Sequence, residues 1–306
     1  MGTLLGLRQI VILSLMILVG YLGNLWGILG RDAQKWLTKV VLNICCPCMI
    51  INSVTTSQRL ESMTTLLLIF ATAISYYVFL PFLGKIINIL LRIPSDHRPE
   101  YEAMLIFSNL GFMGIPVMNA VLGQESILYL SIFMAMYNVA VFGYGRILLR
   151  DPKSQDSRID FMQMINVGSV SSLFAVLLYL LGITLPDLIL EPVASLGNST
   201  TPMAMLVIGA SLANSPFLEM IRAKGMLLFS ALKLLVLPLI FLGIGRLLLK
   251  DELLIGVMVL VTAMPVGSNV VMIGAEQGRD ADYVAKGIFF TTLLSIITIP
   301  VISALL

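Results

Sequence analysis

The sequence predicts an all-α integral membrane protein. Its ten transmembrane helices form two inverted five-helix repeats, and the fourth and ninth helices are broken and cross. Three observations lead there. Hydrophobic residues make up 58% of the 306-residue chain and charged residues only 12%, whereas a soluble domain is about a quarter charged; the mean hydropathy is +0.98. Ten apolar segments, most of them long enough to cross a bilayer, follow one another with short polar connections. Two of these segments carry proline and glycine near their middles, with polar side chains alongside.

The segments run approximately Gln9–Leu29, Trp36–Val54, Thr65–Leu91, Met104–Leu122, Ile127–Gly145, Ile165–Ile183, Pro192–Leu212, Met226–Leu249, Leu253–Ala275 and Gly287–Leu306, numbered here as spans 1 to 10. Span 1 imitates a signal peptide, but it lacks a small-x-small cleavage site and further spans follow, so it reads as a retained helix. It contains Gly23-Asn-Leu-Trp-Gly27, a spacing that lets helices approach closely and suggests internal packing or a homodimer contact. Span 2 holds Cys45, Cys46 and Cys48, the only cysteines. With no second pair and no histidine nearby, their C-x-x-C spacing reads as small packing residues rather than redox or zinc chemistry. His97 lies between Arg92 and Arg98 in a polar connection and reads as solvated.

Lysine and arginine are unevenly spread over alternate connections. Fourteen fall on one side, Arg8, Arg59, Arg246 and Lys250 on the other, and Lys233 lies inside span 8. The positive-inside rule then puts both termini on the extracytoplasmic side of a cell (inner) membrane. No basic block suits nucleic acid, and membrane lipid is the surrounding partner. An odd number of spans per half makes the halves inverted copies: residues 1–150, a cytoplasmic linker at 151–160, and residues 161–306. Weak internal similarity supports the division. Asn43-Ile-Cys-Cys-Pro47 matches Asn198-Ser-Thr-Thr-Pro202, and Val78-Phe-Leu-Pro81 matches Leu235-Val-Leu-Pro238. Pro116 pairs with Pro265, and the three offsets are 155, 157 and 149 residues.

The chemistry concentrates at the two breaks. Span 4 contains Ser108-Asn-Leu-Gly-Phe-Met-Gly-Ile-Pro-Val-Met-Asn119. Pro116 has no N–H and crowds the carbonyl of Phe112, and Ile115 before it is pushed toward extended geometry. Gly111 and Gly114 loosen the helix further, while Asn109 and Asn119 flank the break with donors and acceptors. Span 9 repeats the device in Ala263-Met-Pro-Val-Gly-Ser-Asn269. There Pro265 frees the carbonyl of Val261, Gly267 allows close backbone approach, and Ser268 and Asn269 add polar side chains. Interrupted helices at corresponding places in two halves point to a transporter's substrate site, and half-helix N-termini suit a carboxylate. Lys233 is the only charge deep in a span, and the spans as read hold no carboxylate. It reads as a fixed charge that supports the crossing or attracts an anion, with snorkelling or loss of its proton as alternatives.

Asn109-Leu-Gly-Phe-Met-Gly-Ile-Pro116 and Ala263-Met-Pro-Val-Gly267 resemble the signature helices of the auxin efflux carrier family. The resemblance covers nearly the whole chain, including Pro47 in span 2 and the Leu185–Asp187 turn before span 7. That family includes plant auxin exporters and bacterial relatives described as malate or malonate permeases. It implies an architecture like that of bile-acid/sodium symporters: spans 1, 2, 6 and 7 as a scaffold, spans 3–5 and 8–10 as a moving transport domain. It also implies that span 5 places polar residues beside the span-4 break, which makes Asn138 either a ligand contact or an interhelical hydrogen bond. The plant exporters have a long cytosolic loop between halves and an acidic and a basic residue in span 3. Here the linker is short and span 3 reads Ala73-Ile-Ser-Tyr-Tyr77, which suggests a prokaryotic relative and leaves auxin without support as the substrate.

The expected function is a secondary transporter, exporting a small organic anion such as a mono- or dicarboxylate by an elevator-type mechanism. The alternatives are a sodium-coupled symporter, with a sodium ion held by carbonyls, Ser268 and Asn269, and a solute sensor or channel that does not alternate. An enzyme is not expected, because no nucleophile stands with a base and no metal ligands cluster in the sequence. The topology makes one direct prediction: a cysteine introduced at position 155 is labelled only from the cytoplasm, and one at the C-terminus only from outside. Cytoplasmic labelling of the terminus overturns the assignment.

Overall fold

The computed structural model describes residues 2–56, 62–150, 167–181, 183, 185–214, 224–277, 279 and 281–306. Among these residues the fold is all-helical, and its only β geometry is one isolated bridge between Ser108 and Val266. The first half holds α1 (Gly2–Leu25), α2 (Arg31–Val40), α3 (Cys46–Thr56), α4 (Met63–Leu90), α5 (Arg98–Ile106), α6 (Ile115–Leu122), α7 (Ser126–Ala140) and α8 (Arg146–Leu148). The second holds α9 (Val167–Leu180), α10 (Asp187–Asn198), α11 (Thr200–Ala213), α12 (Lys224–Ala231), α13 (Leu237–Leu248), α14 (Glu252–Ala263), α15 (Asn269–Glu276) and α16 (Ala281–Ser303). The linker at 151–160 lies outside the described residues.

Among the described residues five helical stretches are long and apolar enough to cross a membrane: Arg31–Ser53, Met63–Leu90, Ser126–Leu148, Gly225–Leu248 and Tyr283–Ser303. They are spans 2, 3, 5, 8 and 10. Shorter apolar helices at Ile12–Leu25, Leu110–Leu122, Val170–Leu180 and Glu252–Ala263 correspond to spans 1, 4, 6 and 9 in whole or part. Span 7 departs from the expected single helix. It divides into α10 and α11 at Ser199, because Pro202 has no N–H for the carbonyl of Asn198, the last residue of α10.

Three other prolines are absorbed without a break. A π-helical turn at Val41–Cys45 precedes Pro47, one at Leu110–Gly114 precedes Pro116, and one at Leu232–Val236 precedes Pro238. In each, the residue after the turn donates its N–H five positions back: Cys46 to Val41, Ile115 to Leu110 and Leu237 to Leu232. Widening the turn by one residue moves the i−4 carbonyl off the proline ring, so the helix continues. Ile115 is accordingly helical, at φ −56 and ψ −55, rather than extended as expected from the proline that follows it.

Helix α1 packs along α11, and two glycines set their separation. A Cβ on Gly20 would collide with the Leu206 backbone, and one on Gly209 with the carbonyl of Ile17. Helix α3 packs on α9 and α10, the latter through Gly197 against the Met49 backbone. Helices α4, α5 and α7 pack together, as do α13 with α14 and both α12 and α14 with α16. The Gly23–Gly27 spacing has no such role: α1 ends at Leu25, and Gly27 has φ +77 in the following turn with open space around it. Large apolar side chains face outward, and Trp26 and Trp36 are 72% and 66% exposed near the α1–α2 turn, where aromatic residues mark a membrane interface.

Gly209→Leu must push α1 from α11, and thermal unfolding in detergent is expected to show a loss of about 1–3 kcal/mol by overpacking. Gly27→Ala meets only its positive φ and is expected to cost about 1–2 kcal/mol.

Candidate functional site

The site is built where spans 4 and 9 lose their helical hydrogen bonds. The chain leaves α5 at Phe107, φ −98 and ψ 94, and leaves α14 at Met264, φ −66 and ψ 145, both extended. The two extended pieces then lie antiparallel and pair. Asn109 donates its N–H to the Pro265 carbonyl at 2.8 Å, and Gly267 donates to the Phe107 carbonyl at 2.9 Å. Gly267 is needed at this approach, since a Cβ there would lie 3.0 Å from the Ser108 carbonyl oxygen. Ser108 and Val266 thus stand on a local twofold, 158 residues apart. That relation corrects the pairing of Pro116 with Pro265. Pro265 lies in the crossing itself, whereas Pro116 sits in the first turn of α6 beyond the π-helical turn.

Each side of the crossing is braced from the helix pair α4 and α12–α13. Lys233, fully buried in the π-helical turn at Leu232–Val236, donates to the Leu105 carbonyl at 2.7 Å and to Ser108 Oγ at 2.8 Å. Tyr76 on α4 stands 157 residues earlier, and its hydroxyl is 3.0 Å from Thr262 Oγ1 near the end of α14. Val266 N–H is taken by Thr291 Oγ1 of α16 at 3.1 Å. Lys233 therefore lies behind the crossing, bonded to its backbone, and lines neither cavity described next.

One cavity of about 280 Å³ opens between the crossing, α7 and the span-2 helix. Its polar wall is Asn43, Asn109, Tyr137, Asn138, Ser268 and Asn269, with Gly111 and Gly267 leaving backbone accessible. Its apolar wall includes Leu42, Ile50, Phe112, Ile115, Met134 and Phe142. A second cavity of about 400 Å³ lies on the side of α11 and α16. Leu42, Asn109, Phe112 and Ser268 line both. Among the described residues no charged side chain lines either one.

Six of the residues singled out in the sequence come together here: Asn109, Gly111, Asn138, Gly267, Ser268 and Asn269. Gly114, Pro116, Asn119 and Pro265 do not line the cavities; they shape the helices around them. Asn109 has a second duty, because its Oδ1 accepts the Phe112 N–H at 3.3 Å and caps the segment leading into α6. Asn138 Nδ2 bonds the Met134 carbonyl at 2.9 Å within its own helix, and the Asn269 amide reaches the Tyr137 hydroxyl at 3.4 Å. Sequence reasoning missed Asn43 and Cys46 as lining residues. Both lie in the Asn43–Pro47 motif, where a proline with a polar residue four positions earlier already marked an irregular helix. Cys46 Sγ approaches the Gly111 carbonyl at 3.5 Å.

The acidic residues before span 4 also need correction. Glu100 and Glu102 fall before span 4 as bounded from the sequence, in the polar connection that holds His97, but they are buried residues of α5, 2% and 4% exposed. Arg279 lies 3.5 Å from Glu100 and also donates to the carbonyls of Leu149 and Arg150. Tyr144 donates its hydroxyl to Glu102 Oε1 at 2.6 Å.

A helical bundle clothed in apolar side chains, with two interrupted helices meeting over neutral polar cavities, has the build of a membrane transporter. The chain belongs to the family of membrane transport proteins that contains the auxin efflux carriers: the family model described as membrane transport protein matches residues 5–164 and 162–303. An uncharacterized transporter of Methanothermobacter thermautotrophicus is 27% identical over 301 residues, covering 96% of this chain and 97% of the relative. An uncharacterized transporter of Methanocaldococcus jannaschii is 24% identical over 307 residues, 95% of each chain. The protein is thus a multi-pass membrane transporter.

The bracing can be tested separately from transport. Lys233→Met leaves the Leu105 carbonyl and Ser108 hydroxyl without their charged donor, and an unfolding cost of about 1.5–3 kcal/mol is expected in detergent. Tyr76→Phe removes one neutral hydrogen bond and is expected to cost about 1 kcal/mol. Equal stability of all three proteins would show that neither brace bears on the crossing.

Proposed function

We propose that the protein is a secondary carrier that exports a small organic anion, a mono- or dicarboxylate, by elevator-type alternating access. The observation that carries this reading is the antiparallel meeting of the two interrupted helices, with a cavity on each side sharing Asn109 and Ser268. A ligand at the shared residues is within reach of either cavity, which is what alternating access needs. The ten-span inverted repeat is supported by the local twofold at Ser108 and Val266 and by the matched braces from Tyr76 and Lys233. In the proposed division of labour α1 packs on α11, and α3 on α9 and α10, with close backbone contacts at Gly20, Gly197 and Gly209; these helices serve as the scaffold, and α4–α8 and α12–α16 as the moving body.

Several features favour an anion. The segments that lead into α6 and α15 border the cavity, and helix N-termini carry partial positive charge. Among the described residues neither cavity holds a carboxylate to repel an anion. The Lys233 ammonium lies directly behind Ser108 and adds positive potential to the crossing. Outward movement of an anion from a negative interior is downhill by about 2.3 kcal/mol per charge per 100 mV, so export needs no coupled ion.

The test is counterflow of labelled mono- and dicarboxylates in proteoliposomes, where a carrier shows saturable exchange and a channel does not. Asn109 needs care as a probe, since its side chain also caps the segment into α6. Asn109→Ser keeps a capping oxygen and is expected to weaken exchange, while Asn109→Asp keeps the cap and places a negative charge in both cavities. Asn109→Asp is expected to abolish exchange in protein that remains folded. Undiminished anion exchange by that variant would remove Asn109 from the site.

A further inference from the structure

Two carboxylates lie two residues apart on the buried half-helix α5, and their surroundings differ. Glu100 has a cation, Arg279, at 3.5 Å. Glu102 has none within 4 Å among the described residues; its Oε1 accepts the Tyr144 hydroxyl at 2.6 Å. Its aliphatic part lies against Gly84 of α4, where an added Cβ would come within 2.8 Å of Glu102 Cγ. The neighbours of α5 can be taken in turn. From α4 the acting charge is Lys85, which is exposed. The turn at Ser95–His97 brings Asp96 and His97, and the His97 ring stacks on Tyr283 of α16 at 4.3 Å. Helix α16 approaches at the Gly287–Met104 contact, next to Lys286, and the π-helical turn after α7 brings Tyr144. A carboxylate buried among these groups lacks the direct cation that Glu100 has in Arg279.

We infer that Glu102 is a proton-binding site on the moving body, placed at the cytoplasmic end of the half-helix that leads into the crossing. The proton adds to the carboxylate from the cytoplasmic side, with Oε1 already occupied by Tyr144 and Oε2 left to take it. Glu102 then becomes a neutral acid and the body carries one negative charge fewer. Leu105, whose carbonyl is held by Lys233, lies three residues on, about 4.5 Å along the helix. A change of charge at Glu102 is therefore made within one turn of the brace. Burial pushes the Glu102 carboxyl above the ordinary glutamate range, while the Tyr144 hydrogen bond and the Lys85 charge pull it back. Because the folded state holds the proton more tightly than the unfolded one, stability falls as pH rises from the ordinary glutamate range through the folded midpoint. The consequence for exchange rests on the carrier reading above; proton binding itself does not.

Infrared spectra of the reconstituted protein test the proton directly. A protonated-carboxyl C=O band is expected at a pH where ordinary glutamates are ionised, vanishing as pH is raised. It is expected to be missing in Glu102→Gln and retained in Glu100→Gln. Tyr144→Phe removes the bond that favours the ionised form and is expected to move the midpoint further up. A band that survives Glu102→Gln, or no band in wild type, overturns the assignment whether or not the protein transports anions. Where counterflow is measurable, its rate is expected to change across the same midpoint in wild type and to lose that step in Glu102→Gln. A step that persists in the variant overturns the link between this proton and exchange.

Discussion

A peptide group in hydrocarbon has no water to fall back on, so a helix that breaks inside a membrane needs partners for the groups it frees. The meeting of Phe107–Asn109 with Pro265–Gly267 supplies them. Each extended piece takes an N–H from the other, and neither could persist alone. The breaks are thus one structural event made by two distant stretches of chain. Of the other freed groups, the Leu105 carbonyl is taken by Lys233 and the Val266 N–H by Thr291. The cavities lie beside this paired backbone, so the polar site exists because the backbone was first made safe.

That arrangement explains the placement of charge. An ammonium buried without a carboxylate is costly, and Lys233 is tolerable because two oxygens at the end of α5 receive it. The other brace, from Tyr76 to Thr262, is neutral. The crossing is consequently asymmetric in charge although its backbone geometry is close to twofold.

Much of this was legible in the residues, and the losses have physical causes. Apolar length marked the spans, and glycine with proline marked two irregular helices, because both act locally on the backbone. The position of the first break was not legible. Pro116 pointed to Ile115, but a π-helical turn relieves the proline and the break lies upstream at Ser108, where no proline stands. Its cause is the partner segment, and no local rule reports a partner. Glu100 and Glu102 looked like loop residues because α5 is half of a span and its inner end is polar by composition. The cavity residues Asn109, Ser268 and Asn269 were found from their places at the breaks. Asn43 was quoted only as part of a repeat, since nothing local says which neighbour a helix faces.

The π-helical turns carry a consequence for how such a chain changes over generations. Each holds one residue more than an α-helical turn, and so behaves as an insertion the helix has already accommodated. Removing a residue from Leu232–Val236 could restore a regular helix, yet everything beyond would rotate by about 100° about the axis. Lys233 and the Pro238 segment could no longer face α5 and α14 together. Lineages of this fold are therefore expected to drift freely in residue type along these helices while their lengths stay fixed. Gains and losses of residues are left to the connections.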